Sequence, residues 1–219
     1  MSGIIGQSLK DCRYRWYLVC NGDDAIVFTD IANSEATLAS IRIGMDKSGF
    51  ELGAPKIVRV FENIEFDQCS PVRVNEDNWV MIRQPMRILE GLLYTTRRLN
   101  YTEYLEWLLA VAQGEHALNY WVPLIGQLTA NIIRVLSDRG VRHVDLERFD
   151  RHLQFRFNYQ QYGRVEVDQA YVRSSVAIKF PSLMDLESSA VFVCPEPSEF
   201  GSPADPWPTL ITPSGALII

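Results

Sequence analysis

Lysine is scarce in this chain: Lys10, Lys47, Lys56 and Lys179 are the only ones among 21 basic residues, so arginine carries most of the positive charge. Planar guanidinium groups suit bidentate recognition of phosphate and carboxylate. Acidic residues outnumber basic ones, 27 to 21, leaving a formal net charge of −6. That balance argues against a free-standing nucleic-acid binder of the usual kind, whose affinity comes from cations neutralising phosphates. Histidine is scarcer still. His116, His143 and His152 neither stand four apart nor form an H-E-x-x-H run, which leaves a histidine zinc site without support. The cysteines Cys12, Cys20, Cys69 and Cys194 make no C-x-x-C pair and no disulfide ladder, so a reducing, intracellular compartment is expected. No apolar run reaches the roughly 18 to 20 residues that span a bilayer. The nearest, Tyr120 to Leu136, is interrupted by Gln127 and Asn131. Met1-Ser-Gly-Ile-Ile-Gly lacks both the charged start and the sustained apolar run of a signal peptide, and a soluble chain is expected. There is no internal repeat.

What is present is a core. With 219 residues, 47% of them hydrophobic, the chain has the material for one large domain or two small ones, which excludes disorder throughout. Two apolar runs, Trp16 to Cys20 and Ala25 to Phe28, flank Asn21-Gly22-Asp23-Asp24. β-Branched and aromatic residues around an Asn-Gly pair predict a hairpin, and both strands are expected to be largely buried. Ser34 to Ile43 has helical spacing, with Ser34 as cap, Glu35 in the first turn and an end near Gly44 to Gly49. Val58 to Phe66 and Val72 to Ile82 read as short antiparallel strands around turn-like segments at Cys69-Ser-Pro71 and Asn75-Glu-Asp-Asn78.

After Pro85 the spacing becomes helical over Met86 to Thr96, Thr102 to Gln113 and Pro123 to Asp138. Thr102 is placed as a cap, Leu105, Leu108, Leu109 and Ala112 as one buried stripe, Pro123 as a first-turn residue and Gly140 as a stop. Trp107, Tyr120 and Trp121 are assigned to helix packing rather than base stacking. A further helical stretch runs from Asp168 to Met184, broken at Pro181. Pro195, Pro197, Pro203, Pro206, Pro208 and Pro213 predict an irregular tail from 195 to 219.

The sharpest chemical feature is the pair Asp23 and Asp24 at the hairpin tip. Two carboxylates held on a tight turn could seat a hard divalent cation, and Gly22 supplies the backbone freedom the turn needs. The same four residues also make a good surface turn, and a Gly-Asp-Asp triplet arises by chance on the order of a few per cent of the time in a chain of this length. On local grounds both readings stand.

The order of segments around the turn carries a resemblance. Cys20-Asn-Gly-Asp-Asp24 followed by Ala25-Ile-Val-Phe28 resembles motif C of viral RNA-dependent RNA polymerases. Ile64-Glu-Phe-Asp-Gln-Cys-Ser-Pro-Val72 resembles motif E of tombusvirus-like polymerases, where Glu-Phe-Cys-Gln-x-x-Pro-Val is common; Glu65, Phe66, Gln68, Pro71 and Val72 match, and Asp67 stands where that family has Cys. Trp79-Val-Met-Ile-Arg83-x-Pro85 is similar to its Trp-Val-Met-Val-Arg-x-Pro run, and Val172 to Phe180 more loosely to its late Arg-x-Ser-Phe-x-x-Ala-Phe-Gly segment. Ser2-Gly3 resembles the start of motif B, Ser-Gly-x-x-x-Thr-x-x-x-Asn, with Gln7 and Asp11 in place of the Thr and Asn.

The resemblance implies an α+β fold: the C-terminal half of a right-hand polymerase palm over 1–85, a mainly helical thumb over 86–194, then the tail. It implies an RNA-directed RNA polymerase carrying out template-directed nucleotidyl transfer with Mg²⁺, or Mn²⁺ in its place. Asp23 and Asp24 would be metal ligands and catalytic, and Lys56 the proton donor to departing pyrophosphate. Ser2, Gly3 and Asp11 would meet the nucleotide; Glu65, Phe66 and Gln68 the primer terminus; Arg83, Arg87, Arg97 and Arg98 template or product phosphates. The implied partners are RNA template and product, nucleoside triphosphates, the rest of the polymerase chain, and viral or host replicase proteins. The implied location is the host cytoplasm, at membrane-associated replication complexes. In the family, motif A supplies a further catalytic aspartate and precedes motif B. The segment is therefore expected to be the C-terminal part of a longer enzyme and inactive alone. The alternatives are a non-catalytic RNA-binding or replicase-interaction module with a degenerate palm and, more distantly, a Mg²⁺-dependent nuclease using Asp23 and Asp24.

Overall fold

The computed structural model describes residues 1–142 and 166–186 together with 192 and 194. The chain divides into two compact units, Met1–Pro71 and Val72 onward. In the first, α1 (Ser2–Leu9) is followed by an antiparallel hairpin, β1 (Trp16–Asn21) and β2 (Asp24–Thr29), and then by α2 (Ser34–Lys47). Thr37, Ile41 and Met45, four apart on α2, are buried. Ile41 and Met45 join Ile5 and Leu9 of α1 in a core against which Trp16, Leu18 and Val27 of the hairpin pack.

Strand alternation then sends Tyr17 and Val19 to the other face, where they are 65% and 45% exposed. Neither strand contains a fully buried residue, contrary to expectation. The helices cover one face of this two-stranded sheet, and an antiparallel pair can leave its other face open to water. The turn register also differs by one residue from the Asn-Gly reading. Asn21 pairs with Asp24, so the central residues are Gly22 and Asp23, with φ 59° at Gly22. A glycine with positive φ at the first central position is one of the two standard short hairpin turns. Ser34 is the first residue of α2 rather than its cap, because the short 3-10 turn Ile31–Asn33 runs into the helix and the Ser34 hydroxyl donates to the Ile31 carbonyl at 2.9 Å.

Residues 58–66 do not form the expected strand: the segment is irregular and contains a 3-10 turn at Phe61–Asn63. Phe66 and Cys69 exchange both backbone hydrogen bonds at 2.9 Å, which closes a two-residue turn on Asp67 and Gln68. Both turn residues have positive φ, 51° and 60°. Cys69, Ser70 and Pro71 therefore do not turn; they open β3 (Cys69–Arg73), which pairs with β4 (Trp79–Arg83). Proline is tolerated there because a strand with one neighbour has an edge that needs no donor. The loop between β3 and β4 falls where expected, with the Asn75 side chain accepting from the N–H groups of Asp77 and Asn78.

From Val72 on, helices dominate: α3 (Pro85–Leu92), α4 (Tyr101–Asn119), α5 (Ile125–Asp138), α6 (Gln169–Lys179) and α7 (Pro181–Leu186). The cap of α4 is Asn100 rather than Thr102. Its side chain accepts from the Glu103 N–H at 2.9 Å while Glu103 accepts from the Asn100 N–H at 3.1 Å, a reciprocal capping box. Leu105, Leu108, Leu109 and Ala112 are buried in one cluster with Ile132 and Leu136 of α5, as the leucine stripe predicts. Trp107 and Trp121 are buried too, but Tyr120 is 49% exposed and does not pack in the core. Pro123 does not open α5. Leu124, at φ 66°, intervenes as the cap position. The next residue but one must be small: a Cβ on Gly126 would stand 2.0 Å from the Tyr120 carbonyl oxygen. Gly140, at φ 77°, follows the end of α5 as expected, and Asp168 caps α6 through the Ala170 N–H at 2.8 Å. His143, His152 and the proline-rich tail lie outside the described residues.

Candidate active site

The hairpin holds Asp23 and Asp24 at the tip of β1 and β2, both exposed. A second turn joins it in the same unit. The Asn21 Nδ2 donates to Asp67 Oδ2 at 2.9 Å, and the Asp67 N–H donates to Asp24 Oδ2 at 3.0 Å. Asn21 and Asp24 face each other across the hairpin, so Asp67 reaches both ends of the Gly22–Asp23 turn from 43 and 46 residues away. Asp67 can sit in the left-handed region because its short side chain tolerates it. Among the described residues no cation pairs with Asp23, Asp24 or Asp67. Asp23 and Asp24 are thus adjacent exposed carboxylates without a compensating cation, and such a pair gains from a divalent cation.

Among the described residues no group of three or more His, Cys, Asp and Glu side chains could hold a metal ion. The residues present nevertheless fit Mg²⁺ in kind. Mg²⁺ commonly takes one or two carboxylates and completes its shell with waters and substrate phosphates. Asp23 is uncommitted and Asp24 keeps Oδ1 after Oδ2 accepts the Asp67 N–H. Further ligands have to come from outside this pair.

Within the unit Met1–Pro71, no hydrogen bond or ion pair among the described residues joins Ser2, Gly3, Asp11 or Lys56 to the hairpin turn, whereas Phe66 and Gln68 belong to the second turn that Asp67 attaches to it. Lys56 is exposed in the irregular segment before the Phe61–Asn63 turn. Ser2, Gly3 and Gln7 are on the exposed side of α1, opposite Ile5 and Leu9, and Asp11 is exposed just past its end. Glu65 and Gln68 are exposed and Phe66 is half-buried beside the second turn. Arg83 is committed to an ion pair with the buried Glu115 at 3.6 Å, while Arg87, Arg97 and Arg98 are exposed. Asn21 and the Asp67 N–H, which the two hydrogen bonds of Asp67 bring to the turn, are groups that the sequence does not single out. Asp67 was visible only as a departure from the family's Cys, and no local pattern links it to a residue 46 positions away.

A family model described as viral RNA dependent RNA polymerase matches residues 1–180. The chain belongs to this family. Similar proteins include viral RNA-directed RNA polymerases of the tombusvirus-like kind. The RNA-directed RNA polymerase of Carnation ringspot virus (isolate Lommel) is 23% identical over 180 residues, 82% of this chain and 23% of that protein. That of Tobacco necrosis virus (strain A) is 28% identical over 109 residues, 49% of this chain and 15% of that protein. A protein of Barley yellow dwarf virus (isolate PAV) is 28% identical over 166 residues, 74% of this chain and 19% of that protein. The chain spans 15 to 23% of the length of these three relatives. No solved structure matches it. Among the described residues no helix is long and apolar enough to cross a membrane.

Proposed function

We propose that the segment supplies the second half of a polymerase palm and the thumb of an RNA-directed RNA polymerase, with Asp23 and Asp24 as its share of the metal-binding carboxylates. The observation that carries this reading is the exposed Gly22-Asp23-Asp24 turn, whose carboxylates pair with no basic side chain among the described residues, within a chain whose residues 1–180 match the family. The palm is assigned to 1–85 and the thumb to the helices after Pro85.

Asp23 and Asp24 Oδ1 would hold Mg²⁺, or Mn²⁺ in its place. Bound there, the ion would activate a primer hydroxyl and neutralise triphosphate charge. The chain's own residues act around that point. The exposed face of Ser2 and Gly3, with Asp11 beyond it, would meet the incoming nucleotide; the Asp11 carboxylate can accept from a ribose hydroxyl. Glu65, Phe66 and Gln68 would position the primer terminus, and Lys56 would give a proton to the leaving pyrophosphate. Arg97, Arg98 and Arg87 are exposed for phosphate contacts. Arg83 would contribute only by leaving Glu115. RNA, nucleoside triphosphates and the remainder of the polymerase are the partners, and the host cytoplasm is the place of action.

Two carboxylates on one turn cannot by themselves bracket the ions such a transfer uses, so residues 1–219 alone are inactive in this reading. Incubating the purified segment with Mg²⁺, primer–template RNA and nucleoside triphosphates should give no extended primer. Extension by the isolated segment would overturn the assignment of a missing ligand. A segment that binds RNA tightly, in a full-length polymerase whose extension is indifferent to Asp23 and Asp24, would instead favour the non-catalytic module.

A further inference from the structure

Resting on the reading of Asp23 and Asp24 as metal ligands, we propose that Asp67 is a positioning residue: clasped by Asn21, it presents its backbone N–H to Asp24 and sets the direction of that carboxylate. The contacts are the Asn21 Nδ2 to Asp67 Oδ2 bond at 2.9 Å and the Asp67 N–H to Asp24 Oδ2 bond at 3.0 Å. They act in series. The side-chain bond fixes where the Asp67–Gln68 turn lies against the hairpin, and the backbone bond then fixes one oxygen of Asp24. Without the clasp, Asp24 is an exposed side chain at the start of β2 beside a two-residue turn, free to rotate, and an ion would have to restrict that rotation on binding. A carboxylate held beforehand loses less on binding. The second turn is rigid for its own reasons. Phe66 and Cys69 exchange two hydrogen bonds across it, and positive φ at both Asp67 and Gln68 matches the tight hairpin type that strand twist favours.

Asp67 also adds negative charge near Asp24, so the hydrogen bond has to be separated from the charge. Asp67→Gly keeps the positive φ and the N–H donor but deletes the oxygen that Asn21 grips. Asp67→Asn keeps an accepting oxygen and removes the charge. Asn21→Ala removes the clasp from the other side and leaves the second turn untouched, which guards against a variant at 67 that fails to fold.

The experiment is a Mn²⁺ titration of the ¹⁵N-labelled chain, read by paramagnetic broadening of amide signals at Gly22 to Ala25, with hydrogen exchange of the Asp67 amide as a second readout. Asp67→Gly and Asn21→Ala should each weaken Mn²⁺ binding about threefold to tenfold, the range one intramolecular hydrogen bond typically contributes, and should speed exchange at residue 67. Asp67→Asn should stay within about twofold of the parent. Parent-like affinity in both Asp67→Gly and Asn21→Ala would overturn the proposal. So would equal losses in Asp67→Asn and Asp67→Gly, since charge would then be the cause. Asp23→Ala separates the two levels: unchanged broadening of the turn in that variant overturns the metal reading itself, whereas lost broadening in Asp23→Ala with parent-like affinity in both Asp67→Gly and Asn21→Ala overturns only the clasp.

Discussion

The guanidinium of Arg83 lies 3.6 Å from a carboxylate oxygen of Glu115, and the two ends differ sharply in burial: the Arg83 side chain is 41% exposed and that of Glu115 5%. Glu115 also accepts from the Asn119 amide at 3.0 Å, one turn along α4. A buried carboxylate deprived of its cation is costly, while the pair as a whole contributes little beyond offsetting its own desolvation. Arg83→Ala should therefore destabilise the folded chain by about 1 to 3 kcal/mol, the low side of the buried-pair range because Arg83 meets solvent. Arg83→Ala combined with Glu115→Gln should recover most of that loss. Denaturant unfolding of the two variants checks both statements, and equal stability of the single and double variants would show that the pair is not what holds Glu115. The same comparison bears on RNA, since the double variant removes the cation without the stability penalty.

Close approach at the start of α5 makes one glycine irreplaceable. The nearest neighbour of an added Cβ at Gly126 is the backbone carbonyl oxygen of Tyr120, at 2.0 Å, and backbone cannot swing away as a side chain can. Gly126→Ala should cost about 2 to 4 kcal/mol or prevent folding. Gly91, in α3, has nothing within 4 Å of the equivalent position. Gly91→Ala should stabilise by about 0.4 to 1 kcal/mol through helix propensity and a restricted unfolded chain. Thermal melts of the two variants should move in opposite directions.

Tyr104 is buried, donates its hydroxyl to the Leu93 carbonyl at 2.9 Å, and has its pKa raised well above 10.0 by burial, with the neighbouring Cys194 adding to the shift. Raising an acid's pKa in the folded state means that folding favours the protonated form. The contribution is present in full below the unfolded value of 10.0 and is lost as pH rises from there toward the folded value. Unfolding free energy should fall with increasing pH above about 10, and Tyr104→Phe should flatten that fall while costing about 1 kcal/mol at neutral pH for the lost hydrogen bond. A parent-like slope in Tyr104→Phe would assign the alkaline loss to other groups.

Local patterns were legible where one residue's neighbours decide its fate. The hairpin around Gly22, the leucine stripe of α4, the stop at Gly140 and the break at Pro181 all follow from spacing and turn chemistry. The capping box of α4 is legible as well, as Asn100 three before Glu103, and it outweighs Thr102, whose side chain does not cap the helix. Turn chemistry misled at Cys69-Ser-Pro71. There the real turn uses Asp67 and Gln68, and a proline that would break a central strand is harmless in a strand with one neighbour. Burial of β1 and β2 was misjudged because apolar residues on both faces suggest two covers, and whether a second cover exists is decided by elements outside the strands. The Asp23 and Asp24 pair was legible as a turn with two carboxylates. Its attachment to Asp67 through Asn21 is a long-range contact, and composition and spacing carry no trace of it.

The most direct test of the central claim is primer extension by the full-length polymerase that carries this segment, with Asp23→Ala compared with the parent and template binding measured in parallel. Loss of a carboxylate from the metal site should lower extension by at least about a hundredfold while RNA affinity stays within about twofold, each tenfold corresponding to about 1.4 kcal/mol of transition-state stabilisation. Extension at the parent rate by Asp23→Ala would contradict the assignment of the hairpin turn as part of the catalytic centre.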